Sequence, residues 1–262
     1  MKKESRSRSQ SSLLYGVNPV VEALRSARPV REIVLLQGAR DHRLRELIEL
    51  AQKRNVSLRR APRVELDKVT DNANHQGVVA RISAAHYEDA NDLLDFLASK
   101  IGTKNEPLVA VLDGVEDPRN FGAILRTAES AGVQAVFIAE RRAVGLTETV
   151  AKASAGAVEH VPVARVTNHT RLIEQLKERN VWVVGTAGDA AMLYTEWDWT
   201  RPSAIVLGGE GSGLHRLVRE HCDTLVRIPA LGKIESLNVS VAAGVIFYEA
   251  VRQRMAANKA DG

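Results

Sequence analysis

From Leu108 onward the chain alternates two kinds of hydrophobic spacing so regularly that few folds can accommodate it. Apolar, β-branched runs fall at Leu108 to Leu112, Gln134 to Ala139, His160 to Val163, Val181 to Thr186, Ala204 to Leu207 and Thr224 to Ile228. Helical spacing fills the gaps over Phe121 to Ala131, Glu148 to Ala155, Arg171 to Arg179 and Leu214 to His221, and a last helix is expected from Leu237 to Met255. Strands alternating with helices predict an α/β fold: a mostly parallel sheet covered on both faces, with ligands at the carboxyl ends of strands. The final helix is apolar on nearly every side, from Val239 and Val241 to Phe247 and Val251. It is expected in the core or at an oligomer contact.

A smaller α/β unit is predicted ahead of this one. Val17, Val20, Val21 and Leu24 share one helical face within Val17 to Arg28. Strands are expected at Glu32 to Leu36, Val56 to Leu58 and Gln76 to Ile82, with helices around Leu44 to Ala51 and Val64 to Val69. Tyr87 to Pro107 reads as a linker or bridging helix, because Leu93, Leu94, Phe96 and Leu97 are followed by Gly102, Asn105 and Pro107. The expected organisation is a disordered basic tail over 1–12, a small domain over 13–86, a linker over 87–107 and a large domain over 108–256.

Charge and cysteine usage narrow the function classes. Lys and Arg total 36 against 32 Asp and Glu, a net +4 that tilts the chain towards polyanionic partners. Aromatics make up 4%, so a broad base-stacking platform is not expected. A single cysteine, Cys222, excludes an intrachain disulfide and a multi-cysteine zinc site, and fits a reducing cytoplasm. Its helical neighbours Leu214, Leu217 and Val218 place it in the core. No segment approaches the roughly 18–20 apolar residues of a membrane span.

Three stretches carry the chemistry. In the first, Asp113 to Ala128, a strand runs into a polar turn, and Asn120 stands where a helix cap would stand. Arg126 projects from the helix that follows, whose N-terminus suits a phosphate. In the second, Gly208, Gly209, Gly211 and Gly213 enclose one acid, Glu210. The spacing is not the G-x-G-x-x-G of a dinucleotide site, which argues against a dehydrogenase. A buried Glu210 would need a partner, for which Arg126 is the candidate. In the third, Ile228 to Ser240, Ser236 is placed to cap the final helix.

Taken together and in this order, the three stretches resemble the SpoU, or TrmH-like, branch of the SPOUT RNA 2′-O-methyltransferases. The N-x-G-x-I-x-R-x-A motif of that branch corresponds to Asn120, Gly122, Ile124, Arg126 and Ala128. Its G-x-E-x-x-G corresponds to Gly208, Glu210 and Gly213, and its IP…G…SLNVSVA-x-G to Ile228-Pro229, Gly232, Ser236 to Ala242 and Gly244. Tyr15-Gly16 and His75-Gln76-Gly77-Val78 resemble the small substrate-binding domain of the ribosomal-protein L30e type. Among the members, those that methylate a guanosine 2′-hydroxyl in 23S ribosomal RNA are most similar.

The resemblance implies a trefoil-knotted catalytic domain that binds S-adenosylmethionine and dimerises, with no metal. It implies catalytic roles for Asn120, Arg126, Glu210, Ser236 and Asn238. It places the methyl donor among Gly185, Thr186, Leu207, Gly208, Gly209, Ile228, Leu231, Leu237 and Asn238, the glycines letting the backbone close around an adenosyl group. A guanidinium rarely gives up its proton, so Arg126 is expected to act electrostatically. Arg25, Arg28, Arg31, Arg40, Arg43, Arg59 and Arg60 are expected to carry RNA affinity in the small domain, while Lys2, Lys3, Arg6 and Arg8 lie in the expected disordered tail, where they can touch RNA phosphates. Two other readings stay open at this point: a tRNA 2′-O-methyltransferase of the same branch, and a non-catalytic RNA-binding protein of this fold.

Overall fold

The computed structural model describes residues 11–26, 29–39, 41–83, 87–141, 143–211, 213–233 and 236–260. The expectations for Lys2, Lys3, Arg6, Arg8, Arg28 and Arg40, and for the side chain of Arg43, lie outside that description. The chain divides into two compact units. One holds the N-terminal residues to 86 together with 146–159, and the other holds 87–145 and 160–262.

The first unit is a four-stranded sheet with helices. Its elements are β1 (Ser11–Tyr15), α1 (Val17–Arg25), β2 (Val30–Leu36), α2 (Asp41–Lys53), β3 (Ser57–Ala61), α3 (Arg63–Val69) and β4 (Val78–Ser83). The strand order is β1-β4-β2-β3, parallel only between β2 and β3. The expected tail is corrected at its end: Ser11 and Ser12 pair with Ser83 and Ile82 as an edge strand. Leu14, Leu24, Ile33, Leu47 and Ile82 fill the core, and Ala151 from the later segment joins it.

The two N-terminal motif pieces meet in this unit. Gly16 N donates to the Val78 carbonyl at 3.0 Å, and the Gln76 side-chain oxygen accepts from Val17 N at 3.2 Å. Gly77 N donates to His75 Nδ1 at 2.9 Å, which leaves the ring proton on Nε2, 2.9 Å from an Asp67 oxygen. Gly16 and Gly77 have φ of 99° and 79°, conformations that favour glycine. The expected basic face is partly neutralised. Arg25 pairs with Glu22 and Glu46, and Arg59 with Glu32 and Glu65.

The second unit is a seven-stranded sheet. Its elements are α4 (Ala90–Ala98), β5 (Leu108–Asp113), α5 (Pro118–Ser130), β6 (Ala135–Ala139), β7 (Val163–Val166), α7 (His169–Glu178), β8 (Trp182–Thr186), β9 (Met192–Leu193), β10 (Ser203–Gly208), α8 (Arg216–His221), β11 (Thr224–Arg227) and α9 (Val239–Ala260). Between β6 and β7 the chain contributes α6 (Glu148–Ala153) to the first unit. The order β7-β6-β5-β10-β8-β11-β9 is parallel throughout, as the alternation predicts.

Two expectations are corrected here, and one short strand was not foreseen. Residues 87–107 are not a linker: α4 buries Leu93, Leu94 and Leu97 in the same core as Val109, Phe137 and Leu172. The Asp89 side chain caps it by accepting from Asn91 N and Asp92 N. The strand placed at His160 to Val163 begins instead at Val163, because Pro162 has no N–H to give the ladder and only its carbonyl takes part, accepting from Val136 N. Finally, β9 is two residues long and leaves no alternation to read. Among the described residues no helix is long and apolar enough to cross a membrane.

Candidate active site

Parallel register sets the site. Asp113, the last residue of β5, lies beside Gly208, the last of β10. The chain leaves β5 through Gly114 (φ 79°) and enters α5, whose cap is Asp117: its carboxylate accepts from Arg119 N and Asn120 N, both at 2.8 Å. Pro118 occupies the first turn, where its missing N–H costs nothing. Asn120 is therefore not the cap, and its amide is released for other partners.

Those partners are the carboxylate and amide predicted from the other two stretches. Asn120 Nδ2 donates to Glu210 Oε1. Asn238 Nδ2 donates to Asn120 Oδ1 at 3.0 Å and lies 3.3 Å from Glu210 Oε1. Asn238 Oδ1 accepts from Ser240 N at 2.9 Å and Ser240 Oγ at 2.6 Å, so Asn238 caps α9. Ser236, expected in that role, sits two residues too early and is exposed.

The expected Glu210–Arg126 pair is not formed. Arg126 lies six positions beyond Asn120, a rotation of roughly 600° along the helix, so the two point to different faces. Arg126 is exposed, and among the described residues its guanidinium has no hydrogen-bond or ion-pair partner. Glu210 draws its donors from the two amides instead.

The glycines of the second stretch pack backbone on backbone. A Cβ on Gly208 would come within 2.2 Å of the Gly213 carbonyl carbon, and one on Gly209 within 2.1 Å of the Gly114 oxygen. Gly209 N donates to the Asp113 carbonyl at 2.8 Å, and Gly213 N to the Gly209 carbonyl at 3.1 Å. These contacts fold the loop after β10 tightly, so Glu210 is presented at its tip.

Beside the loop lies a cleft of about 490 Å³, walled by residues from the ends of β8, β10 and β11 and the start of α9. Thr186, Leu207, Gly208, Gly209, Ile228, Leu237 and Asn238 line it, as do Glu210 and Ser236. Two predicted residues do not. Gly185 is a packing position, where a Cβ would strike Leu225 Cδ2 at 2.6 Å and Cys222 Sγ at 2.9 Å. Leu231 is 99% exposed. A smaller cavity of about 280 Å³ is lined by Gly114 to Asp117, Asn120, Glu210 and Val239. Glu210 and Val239 therefore belong to both cavities, and the Asn120–Glu210–Asn238 cluster stands between them.

Three residues of this region escaped the sequence reading. Asp189 and Arg219 form a 2.9 Å ion pair on the cleft wall, and the bond holds the Asp189 carboxyl below its ordinary range. Asp189 follows a strand end, the signal that exposed the other loops, whereas Arg219 lies mid-helix and gives none. Asp113 is buried at the end of β5. Burial pushes its carboxyl up, but hydrogen bonds from His169 and His215 outweigh this and hold it below the ordinary range. Cys222 is half-buried against the core, and burial pushes its thiol up to about 12.

Comparison with known proteins places this geometry. Residues 107–248 match the SpoU rRNA Methylase family, and residues 13–88 match the family described as RNA 2′-O ribose methyltransferase substrate binding. YacO of Bacillus subtilis (strain 168), whose name assigns it to the TrmH family of tRNA/rRNA methyltransferases, is 44% identical, covering 94% of this chain and 97% of that protein. The 23S rRNA (guanosine-2′-O-)-methyltransferase RlmB of Escherichia coli (strain K12) is also 44% identical, over 93% of this chain and 99% of that protein. Among solved structures, the SpoU methyltransferase AviRb of Streptomyces viridochromogenes in complex with AdoMet superposes with a TM-score of 0.77 at 25% identity, covering 97% of this chain and 95% of that one. With both halves matched and the cluster assembled from all three motifs, the chain belongs to the SpoU rRNA methylase family.

Proposed function

We propose that this protein transfers a methyl group from S-adenosylmethionine to the 2′-hydroxyl of a guanosine ribose in 23S ribosomal RNA. The observation that carries the reading is the Asn120–Glu210–Asn238 cluster, which stands between a cleft sized for a cofactor and a second, smaller cavity. The cleft fits the methyl donor. Its volume of about 490 Å³ lies in the usual range for small-molecule sites. Its apolar walls, Leu207, Ile228 and Leu237, suit an adenosyl group, and the Glu210 carboxylate suits a cationic sulfonium.

When bound, the donor supplies a methyl group already activated on sulfur. The protein must then align the ribose and handle one proton. Asn120 and Asn238 orient the 2′-oxygen from one side while Glu210 fixes both amides, an alignment that can contribute several kcal/mol to the rate. Ser236 adds a hydroxyl to the cleft wall. Arg126 provides charge for the RNA backbone and the developing 2′-oxyanion, since a guanidinium is a poor base. Methyl transfer forms the O–CH3 bond and breaks the S–CH3 bond, and the 2′-proton leaves to solvent.

The exposed apolar stripe on α9, with Val241 and Tyr248 each 51% and Met255 57% exposed, supports a homodimer through the catalytic unit. A partner there would bring its surface to the unpartnered Arg126 region. The interleaving of β11 between β8 and β9 supports the knotted path expected of the family. The small unit supports ribosomal rather than transfer RNA as substrate, and RNA modification of this kind belongs in the cytoplasm. Mapping 2′-O-methylation on total RNA from cells with and without the protein tests the reading. Loss of one guanosine methylation in 23S RNA is expected. An unchanged 23S map with a lost tRNA methylation would move the substrate, and no change in any RNA would refute the activity.

A further inference from the structure

The loop that carries Glu210 is fastened at both ends to one residue. At its start, Gly209 N donates to the Asp113 carbonyl oxygen at 2.8 Å. At its end, His215 N donates to Asp113 Oδ2 at 2.7 Å, and His215 Nδ1 lies 2.9 Å from Asp113 Oδ1. A third donor reaches the same carboxylate from α7, where His169 Nδ1 is 3.2 Å from Oδ1. An ionised carboxylate only accepts, so both imidazoles carry their proton on Nδ1. His169 Nε2, buried without a hydrogen-bond partner among the described residues, is then a bare lone pair and not an orphaned N–H.

Such an arrangement exceeds what a turn needs. A carboxylate buried at a strand end is costly, and here it is retained with three donors. The described residues between the two fastenings belong to the cleft wall: Gly209, Glu210, Gly211, Gly213 and Leu214 all line it. The loop itself is glycine-rich, with Gly211 and Gly213 at φ of 85° and 64°. A segment of that kind loses much chain entropy on ordering, so its shape depends on its ends.

We propose that Asp113, acting through His215, is the positioning residue of the methyl-donor site: it sets the span of the 209–215 loop and thereby the place of Glu210. The role rests on the methyltransferase reading above. His215 is the better handle, because its side chain is 64% exposed and its removal leaves no cavity, whereas Asp113→Asn risks the fold.

The test is calorimetric binding of S-adenosylhomocysteine to full-length wild type and His215→Ala, with hydrogen exchange of the 208–215 segment, steady-state kinetics and thermal midpoints in parallel. Losing one hydrogen bond to a charged group predicts cofactor affinity weaker by about tenfold or more. The KM for S-adenosylmethionine should rise by a similar factor while the KM for RNA stays at its wild-type value. Faster exchange in the loop of the free variant, slowed again by the ligand, is expected alongside a thermal midpoint lowered by only about 3–6 °C. Asp113→Asn should show the same affinity loss or a larger one. Equal affinity and equal loop exchange in wild type and His215→Ala would overturn the positioning role while leaving the activity in place. A wild type that binds no S-adenosylhomocysteine would remove the methyltransferase reading and this role with it.

Discussion

Asn238 does two separable jobs, and substituting it by aspartate divides them. Its oxygen caps α9 through Ser240, and its amide nitrogen donates to Asn120 and Glu210. Asn238→Ala removes both. Losing a cap costs about 1 kcal/mol, and in a unit of about 160 residues that lowers the thermal midpoint by about 2–4 °C. Asn238→Asp keeps the capping oxygen and adds a charge favourable at a helix N-terminus, so the cap itself is not weakened. The second oxygen, however, now faces the Glu210 carboxylate where the amide stood at 3.3 Å. Two unit charges at that distance repel by ~1.3 kcal/mol in bulk water and ~5 kcal/mol at an effective dielectric of 20. Glu210 is exposed, so the lower figure applies. Adding the lost donor bond, about 1.5 kcal/mol for a bond to a charged group, gives a fall of roughly 100-fold in methyl transfer. Tritium transfer from S-adenosylmethionine to a 23S RNA fragment, with a thermal melt on the same samples, reads both effects. A stable Asn238→Asp protein that turns over within about threefold of wild type would refute the role given to the cluster.

The remaining expectations are shorter. Arg126→Lys should retain transfer within about tenfold, whereas Arg126→Ala should lose about 100-fold or more; equal loss in both, with RNA and cofactor binding intact, would mean that guanidinium geometry or proton transfer matters and not charge. Arg254 donates to the carbonyls of Trp199, Glu106, Pro107 and Arg201, and burial holds its guanidinium below the ordinary range. Arg254→Met should cost about 3 kcal/mol and lower the midpoint by about 6–12 °C, and a shift under about 2 °C would contradict this. The Cys222 thiol, raised from 9.0 to about 12, should resist alkylation at pH 8 until the chain unfolds. Because folding raises this pKa, its contribution to stability is complete below pH 9 and is lost as pH climbs towards 12; rapid labelling of the native protein would show the site to be open.

The parallel sheet was legible because buried strands of the second unit read as unbroken apolar runs, as in Leu108 to Leu112 and Ala204 to Leu207, while the helices between them keep one polar face. The cluster residues Asn120, Glu210 and Asn238 were legible from motif resemblance, yet their partners were not. Charge logic paired Glu210 with Arg126, but two neutral amides on neighbouring elements satisfied the carboxylate. Cap assignments failed for a similar reason. Asp117 and Asn238 each compete with a nearby polar residue for the same backbone donors, and only three-dimensional reach decides between them. Gly185, assigned to the donor site from the resemblance, is held by the side chains of Leu225 and Cys222, which come from elements about forty residues later in the chain. Asp113 was passed over because its donors, His169 and His215, are separated from it by 56 and 102 positions.

The order of strands has a consequence for biosynthesis. The place between β8 and β9 is left open when those strands are made and is filled by β11, about thirty residues later in the chain. Two of the four walls of the donor cleft, from the ends of β8 and β10, are therefore available before the other two, which come from residues 226–242. A nascent chain emerging N-terminus first would present its small RNA-facing unit and most of its sheet while still lacking cofactor competence. Catalysis is thus confined to chains in which the end of β11 and the start of α9 have closed the cleft.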